Sequence, residues 1–263
     1  MAIGLTSLPT MDWQERDGVR WLEARLEREA GADAVAAFTA RLGGVSSAPF
    51  DSLNLGMLTG DRLDRARDNR RLLTAALGRD PDGILFGYQV HEAKVRFRTD
   101  VPEPNPWLAR TPPPEAGDGQ ATDRAQLTPL VQVADCLPVA IAGPRGVAML
   151  HCGWRGLAAG IIAAGIGAVG AGSAAIGPGI GPCCYEVGEE VLAAFEPLGD
   201  GIASGRMLDL AAVARVHLAA AGVERVECSG LCTSCERGLF FSHRRDAGRT
   251  GRQAGLVWVG DHG

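Results

Sequence analysis

What is scarce in this chain narrows its function first. Only five of its 263 residues are histidine, and 26 basic residues stand against 31 acidic ones, for a net charge of -5. A chain with no surplus of positive charge argues against a nucleic-acid footprint, which works by displacing counterions from phosphates, and directs attention to small substrates. No run of about 18 charge-free apolar residues is flanked like a membrane span. The nearest stretch, 157–180, is dominated by glycine and alanine. The first twenty residues hold Asp12, Glu15 and Asp17 where a secretory leader needs an apolar centre. The seven cysteines are an odd number, crowded as Cys183-Cys184 and as Cys228, Cys232 and Cys235, unlike the spaced framework of a small secreted domain. A reduced, cytoplasmic protein is expected.

Familiar motifs are missing as well. "HEAKV" is not HExxH, because position 95 is valine, and the HxE…PCxxC signature of zinc deaminases is absent. "GIGAVG" matches the dinucleotide fingerprint at Gly165, Gly167 and Gly170, but it continues a helix that starts near Leu157 instead of following a strand. Cys228, Cys232 and Cys235 spell CxxxCxxC, an iron-sulfur spacing, yet they fall close to the end of the sequence, and no second CxxC completes a zinc ribbon. None of these carries a functional assignment.

What is present is enough apolar residue, 46%, to bury a substantial core. Val19, Leu22, Leu26 and Ala30 follow helical spacing and predict an amphipathic helix over 12–30. A second helix is expected over 61–78, ended by Gly78. Six of the fifteen prolines lie between 101 and 120, which makes that segment a loop. Short aliphatic runs at 130–133, 137–142 and 147–152 read as strands, with a turn at Gly143-Pro144-Arg145-Gly146. Helices are expected from about 157, over 188–195 and over 210–221, and strands over 223–228 and 255–259. Hairpins among alternating helices and strands imply a mixed sheet.

If 137–151 folds back near residue 144, Cys136 and His151 come within about one register of each other on one face. Strand alternation sends Cys152 to the opposite face, into the core. A thiolate and an imidazole make half of a zinc site, and a catalytic zinc takes one further protein ligand. His91, after a short strand-like run, is the best supplier. His217 lies on a helix, His243 in an arginine cluster and His262 in the tail. From spacing alone the alternative is two separately satisfied histidines and a buried cysteine. Arg155, in "GWRG" between strand and helix, could hold an anion or simply stack on Trp154.

Taken in order, "ARLGGVSSAPFDSLNLG", "DNRRLL", "YQVHEAKV", "VADCLPVAIA", "HCGWRGLAAGII", "IGPGIGPCCYEVGEEV", "LDL" and "LCTSCERGLFFSHRRDAGRTGRQAG" resemble the bacterial laccase-domain family over residues 38–259. That family was long labelled multicopper polyphenol oxidase and is now regarded as zinc-dependent purine nucleoside phosphorylases. The resemblance implies zinc ligands at His91, Cys136 and His151. It implies phosphorolysis of adenosine, inosine, guanosine or methylthioadenosine to the free base and a pentose 1-phosphate, with nucleoside and phosphate as the partners. Arg155 and Arg41 are expected to offset phosphate charge, and Asn54 and Gln89 to hydrogen-bond the sugar or base. Glu92 stands where the family usually has glycine, His243 where it has tyrosine, and the region around Asp123 matches the usual "DALVT" stretch poorly.

A multicopper oxidase needs about eight histidines for its trinuclear cluster, more than this chain owns, although a single His2Cys site could accept copper by affinity order. The rival chemistries are a zinc hydrolase acting as adenosine deaminase or amidase, a copper-dependent polyphenol oxidase, and a structural zinc closed by Cys152 or Cys183. The expected fold is α+β: a single domain over 38–263 of layered mixed β-sheets flanked by helices, of αββα type, behind an N-terminal helical extension over 1–37.

Overall fold

A computed structural model describes residues 11–29, 31–109 and 115–260. His262 and the prolines at 112–114 lie outside the described residues. The described residues open with β1 (Asp12–Arg16), β2 (Val19–Leu26) and β3 (Ala34–Thr39), followed by α1 (Leu63–Ala76). Next come β4 (Ile84–Phe86), β5 (Val95–Phe97), β6 (Gly119–Thr122), β7 (Thr128–Val133), β8 (Leu137–Gly143) and β9 (Gly146–Cys152). The remainder comprises α2 (Trp154–Ala158), α3 (Ile161–Val169), β10 (Ser173–Ile176) and α4 (Glu189–Phe195). It ends with β11 (Ala203–Ser204), β12 (Met207–Leu208), α5 (Leu210–Ala220), β13 (Arg225–Cys228) and β14 (Gln253–Val259).

Two six-stranded mixed sheets form the body, ordered β1-β2-β3-β14-β7-β4 and β13-β10-β8-β9-β6-β5. Their facing sides share one apolar layer in which Leu22, Phe38, Val131 and Val257 meet Ala140, Met149 and Ala175. Period-two alternation sends the intervening residues outward: Val139 and Ile141 of β8 and Leu150 and Cys152 of β9 pack on the helical layer with Ile161, Ile162, Phe195 and Val213. On the other side, Trp21, Leu130 and Leu256 lie against Leu73 of α1, Leu53, Leu55 and Trp107. The molecule is a single α+β domain with helix, sheet, sheet and helix in layers. Both sheets are covered on both faces, so their central strands read as continuous apolar runs.

The helix expected over 12–30 is instead a β-hairpin. Arg16 pairs with Val19, so the turn is the two-residue loop Asp17-Gly18, with φ of 53° and 79°. An Asp-Gly pair accepts two positive φ values, the geometry that matches the twist of an antiparallel ribbon. Val19, Leu22 and Leu26 are all buried because β2 is covered on both sides, which imitates helical spacing. β2 pairs with β3 across residues 34–39, so the sheet runs on without a break at residue 37.

Candidate metal centre and its cavity

The three candidate ligands come from three neighbouring places at one end of the second sheet. Cys136 immediately precedes β8, His151 is the penultimate residue of β9, and His91 sits in the loop before β5. In the β8–β9 ladder His151 pairs with Pro138, so Cys136 is displaced by two residues along the same face, a diagonal neighbour. The ligand atoms of the three all lie within 4.8 Å of one another, and the two imidazoles meet edge to face at 73°. His91 adopts a left-handed φ of 65°, while Glu92 does not. The loop therefore places its strained position on the histidine, and glutamate at 92 needs no unusual backbone.

The residue that organises the loop is Asp118. Its side chain is fully buried, and its Oδ1 accepts a hydrogen bond from His151 Nδ1 at 2.8 Å. The same carboxylate accepts the backbone N–H groups of Val90 (3.0 Å), His91 (2.8 Å) and Glu92 (3.0 Å). One buried anion thus fixes the His91 loop and the orientation of His151, leaving Nε2 of His151 for a ligand role. The stretch "DGQAT" starting at Asp118 matches "DALVT" at its first and last positions, whereas Asp123 lies beyond the end of β6, beside Arg124.

Burial alone would raise the Cys136 thiol, but His151 and His91 outweigh it and bring it down to about 6. Burial alone would lower His151, but the Cys136 sulfur and Asp118 raise it to about 9. Burial also opposes ionisation of Asp118, and the hydrogen bonds from His151 and from the backbone of Glu92 and Val90 reverse that and hold it below the usual carboxylate range. Cys136 and His151 are thus disposed as a thiolate facing an imidazolium, the charge pattern that a divalent ion replaces.

The donor set fits zinc: two imidazoles and a thiolate in mutual reach, one imidazole backed by a carboxylate. Space is reserved for the sulfur, since a Cβ on Gly153 would lie 2.9 Å from Cys136 Sγ and 3.3 Å from His91 Cδ2. Among the described residues no fourth His, Cys, Asp or Glu joins the three. Cys152 points into the helical layer, and Cys183 lies in a separate group of thiols. The donors instead border a cavity of about 640 Å³, within the usual range for a small-molecule site.

Four arginines, Arg70, Arg155, Arg244 and Arg252, line that cavity, and none is ion-paired with a carboxylate among the described residues. Arg70 is almost wholly buried, stacks on Trp107 and donates to the carbonyls of Leu55 and Trp107; burial lowers it to about 9. Arg155 stacks on Trp154 and Arg244 on Tyr185. Beside Cys136, Asp135 holds a φ of 93°; its carboxylate accepts Thr233 Oγ1 and the Arg244 N–H, both at 2.7 Å.

Gln89 lines the cavity, but its amide is engaged in a reciprocal pair with the backbone of Gln132. Asn54 is fully buried and bonds Gly56 N, Arg252 N and Asp61, so it shapes the loop that carries Arg252. Arg41 is held away from the cavity lining by Asp51 and stacks on Phe241. His243 lines the cavity. Spacing did not single out Asp118, Arg70, Arg244 or Arg252; only the fold gathers the arginines in one lining, with none in a salt bridge among the described residues and Asp135 as the carboxylate that shares the cavity.

Relatives match this chain along most of its length. A protein of Geobacillus stearothermophilus named purine nucleoside phosphorylase YlmD is 35% identical over 95% of this chain and 97% of its own length. The purine nucleoside phosphorylase YfiH of Escherichia coli is 36% identical over 83% of this chain and 91% of its own. The crystal structure of Bacillus licheniformis hypothetical protein YfiH superposes with a TM-score of 0.82 at 31% identity, over 94% of this chain and 99% of that one. The crystal structure of the Geobacillus YlmD gives 0.81 at 34% identity, over 94% and 98%. The family model described as multi-copper polyphenol oxidoreductase laccase matches residues 35–260, and this chain belongs to that family.

Proposed function

We propose that this chain is a zinc-dependent purine nucleoside phosphorylase, converting adenosine, inosine, guanosine or methylthioadenosine with phosphate to the free base and a pentose 1-phosphate. The observation that carries the reading is the cavity itself, whose lining joins four arginines that form no salt bridge among the described residues to a His2Cys donor set. Such a pocket suits a small dianion beside a planar apolar group, and relatives over most of the chain bear the name of that activity.

His91, Cys136 and His151 would hold the zinc, which would supply Lewis acidity when bound. Arg155 and Arg252 offset phosphate charge at the donor set, with Arg70 reinforcing them from the buried side. Met57, Tyr88 and Tyr185 line the same space and offer apolar surface to the purine. The phosphate oxygen forms its bond to C1′ as the C1′–N bond breaks, and the electron pair leaves with the base. His243 and Tyr185 provide donors for the negative charge that gathers on the departing purine. Arg41, held by Asp51, has no part in this, and Asn54 acts through the Arg252 loop. The reaction belongs in the cytoplasm, where the thiols stay reduced.

The decisive assay incubates metal-analysed protein with adenosine, with and without phosphate, and identifies the products. Adenine and pentose 1-phosphate that appear only with phosphate support the proposal. Ammonia released without phosphate overturns it in favour of hydrolytic deamination. Cys136→Ala should abolish turnover together with the zinc held by His91 and His151, and full activity in that variant would reject the assigned ligands.

A further inference from the structure

A second group of sulfurs lies outside the machinery described so far, with Cys184 next in sequence to the cavity residue Tyr185. Cys183, Cys184, Cys232 and Cys235 place their Sγ atoms all within 4.8 Å of one another, with Cys235 3.5 Å from both Cys183 and Cys184. All seven cysteines are free thiols, and Cys228, the first member of the CxxxCxxC spacing, stands outside this group. The four come from two loops that are already tied together: Gly179 bridges Cys232 in parallel fashion, and Thr233 N–H donates to Gly179 O at 2.9 Å.

Four sulfurs around a tetrahedral zinc at about 2.3 Å would stand roughly 3.8 Å apart. The group brackets that spacing, and it is too tight for a four-iron cluster, which spreads its cysteines over a larger core. The backbone is also arranged for thiolate charge. Gly181 N–H donates to Cys232 Sγ at 3.2 Å. A Cβ on Gly181 would come within 3.3 Å of Cys232 Cβ and 3.4 Å of Cys183 Sγ, so glycine leaves the sulfurs room to close. Cys183 and Cys235 are exposed, which gives an ion a way in.

We propose that Cys183, Cys184, Cys232 and Cys235 bind a second, structural zinc ion as a closed tetrathiolate site. Binding converts the thiols to thiolates, and their protons pass to solvent. The ion clips the loop that leads into Tyr185 to the turn that carries Thr233, whose hydroxyl holds Asp135 beside Cys136. The site therefore braces one wall of the cavity and the approach to one candidate ligand. It stands apart from the nucleoside chemistry, and its test reads metal, not turnover.

The test uses the full chain produced with zinc, taking Cys136→Ala to empty the first site. That variant should retain one zinc per chain with four sulfur neighbours at the zinc absorption edge, and cobalt in its place should give the intense visible bands of a tetrathiolate. Adding Cys235→Ser should abolish that ion. Should Cys136→Ala fold poorly, the wild-type chain serves: two zincs with a sulfur-rich average shell are expected. A metal-free Cys136→Ala protein, one zinc in the wild type with a single sulfur neighbour, disulfides among these four cysteines in freshly reduced protein, or iron in place of zinc would each overturn the assignment.

Discussion

At the scale of single residues, Asp118 has the widest reach, because its buried carboxylate serves both His151 and the three N–H groups of the His91 loop. Asp118→Asn keeps the shape but offers an N–H or a neutral oxygen to those donors. Zinc affinity should fall about 10- to 100-fold, read by competition with a chelator; unchanged affinity would show that Asp118 does not orient the ligands. Proton competition gives a second expectation. In the metal-free site His151 is raised to about 9 and Cys136 lowered to about 6. Between those values zinc must expel the His151 proton, so affinity should drop about tenfold per unit as pH falls, and more steeply below 6, where Cys136 also carries a proton. A pH-independent affinity from 6 to 9 would contradict that pair. The nearness of Cys136 and His151 was legible because a hairpin register can be estimated from the turn "GPRG", whereas spacing alone left His91 as the best supplier among five histidines and the resemblance implied the set of three. Asp118 was not, since a hydrogen-bond partner of a ligand leaves no spacing of its own. For Arg41 the charge was legible, but not the Asp51 that pairs with it.

At the scale of elements, the N-terminal hairpin turns on Gly18, whose φ of 79° disfavours any side chain. Gly18→Ala should destabilise the fold by about 1 kcal/mol in urea unfolding, with the slope unchanged. No measurable change would mean that β1 and β2 are not paired through that turn. The Asp-Gly signal was available in the sequence, but a strand buried on both faces supplied apolar residues at Val19, Leu22 and Leu26 that satisfy helical spacing equally well. β10 escaped for a different reason. Its "SAAI" lacks β-branched bulk until the last position, because it is a fully buried strand between β8 and β13 where small side chains fit. By contrast, β8 and β9 and the helices α1, α4 and α5 were readable from aliphatic runs and from the glycines at 78, 188 and 222 that flank those helices.

Across the whole molecule, the layer between the two sheets is the core on which the site end depends. Phe38 is its large central residue, 1% exposed, and Phe38→Ala should cost about 3–5 kcal/mol in denaturant unfolding. A loss below 1 kcal/mol would imply that the sheets close over the gap. A mixed sheet was visible in the alternation of hairpins and helices, whereas the assignment of strands to one sheet or the other depends on long-range pairings such as β14 with β3 and β7, which no local pattern encodes. The four guanidinium groups that share one chamber also carry an energetic consequence for the protein at rest. Among the described residues Asp135 is the one carboxylate that shares the lining with them, so an added small oxyanion finds attraction there: sulfate should raise the melting temperature and compete with the phosphate of the proposed reaction, while chloride, diffuse and monovalent, should do far less. The choice of buffer salt thus becomes part of the chemistry of this chain.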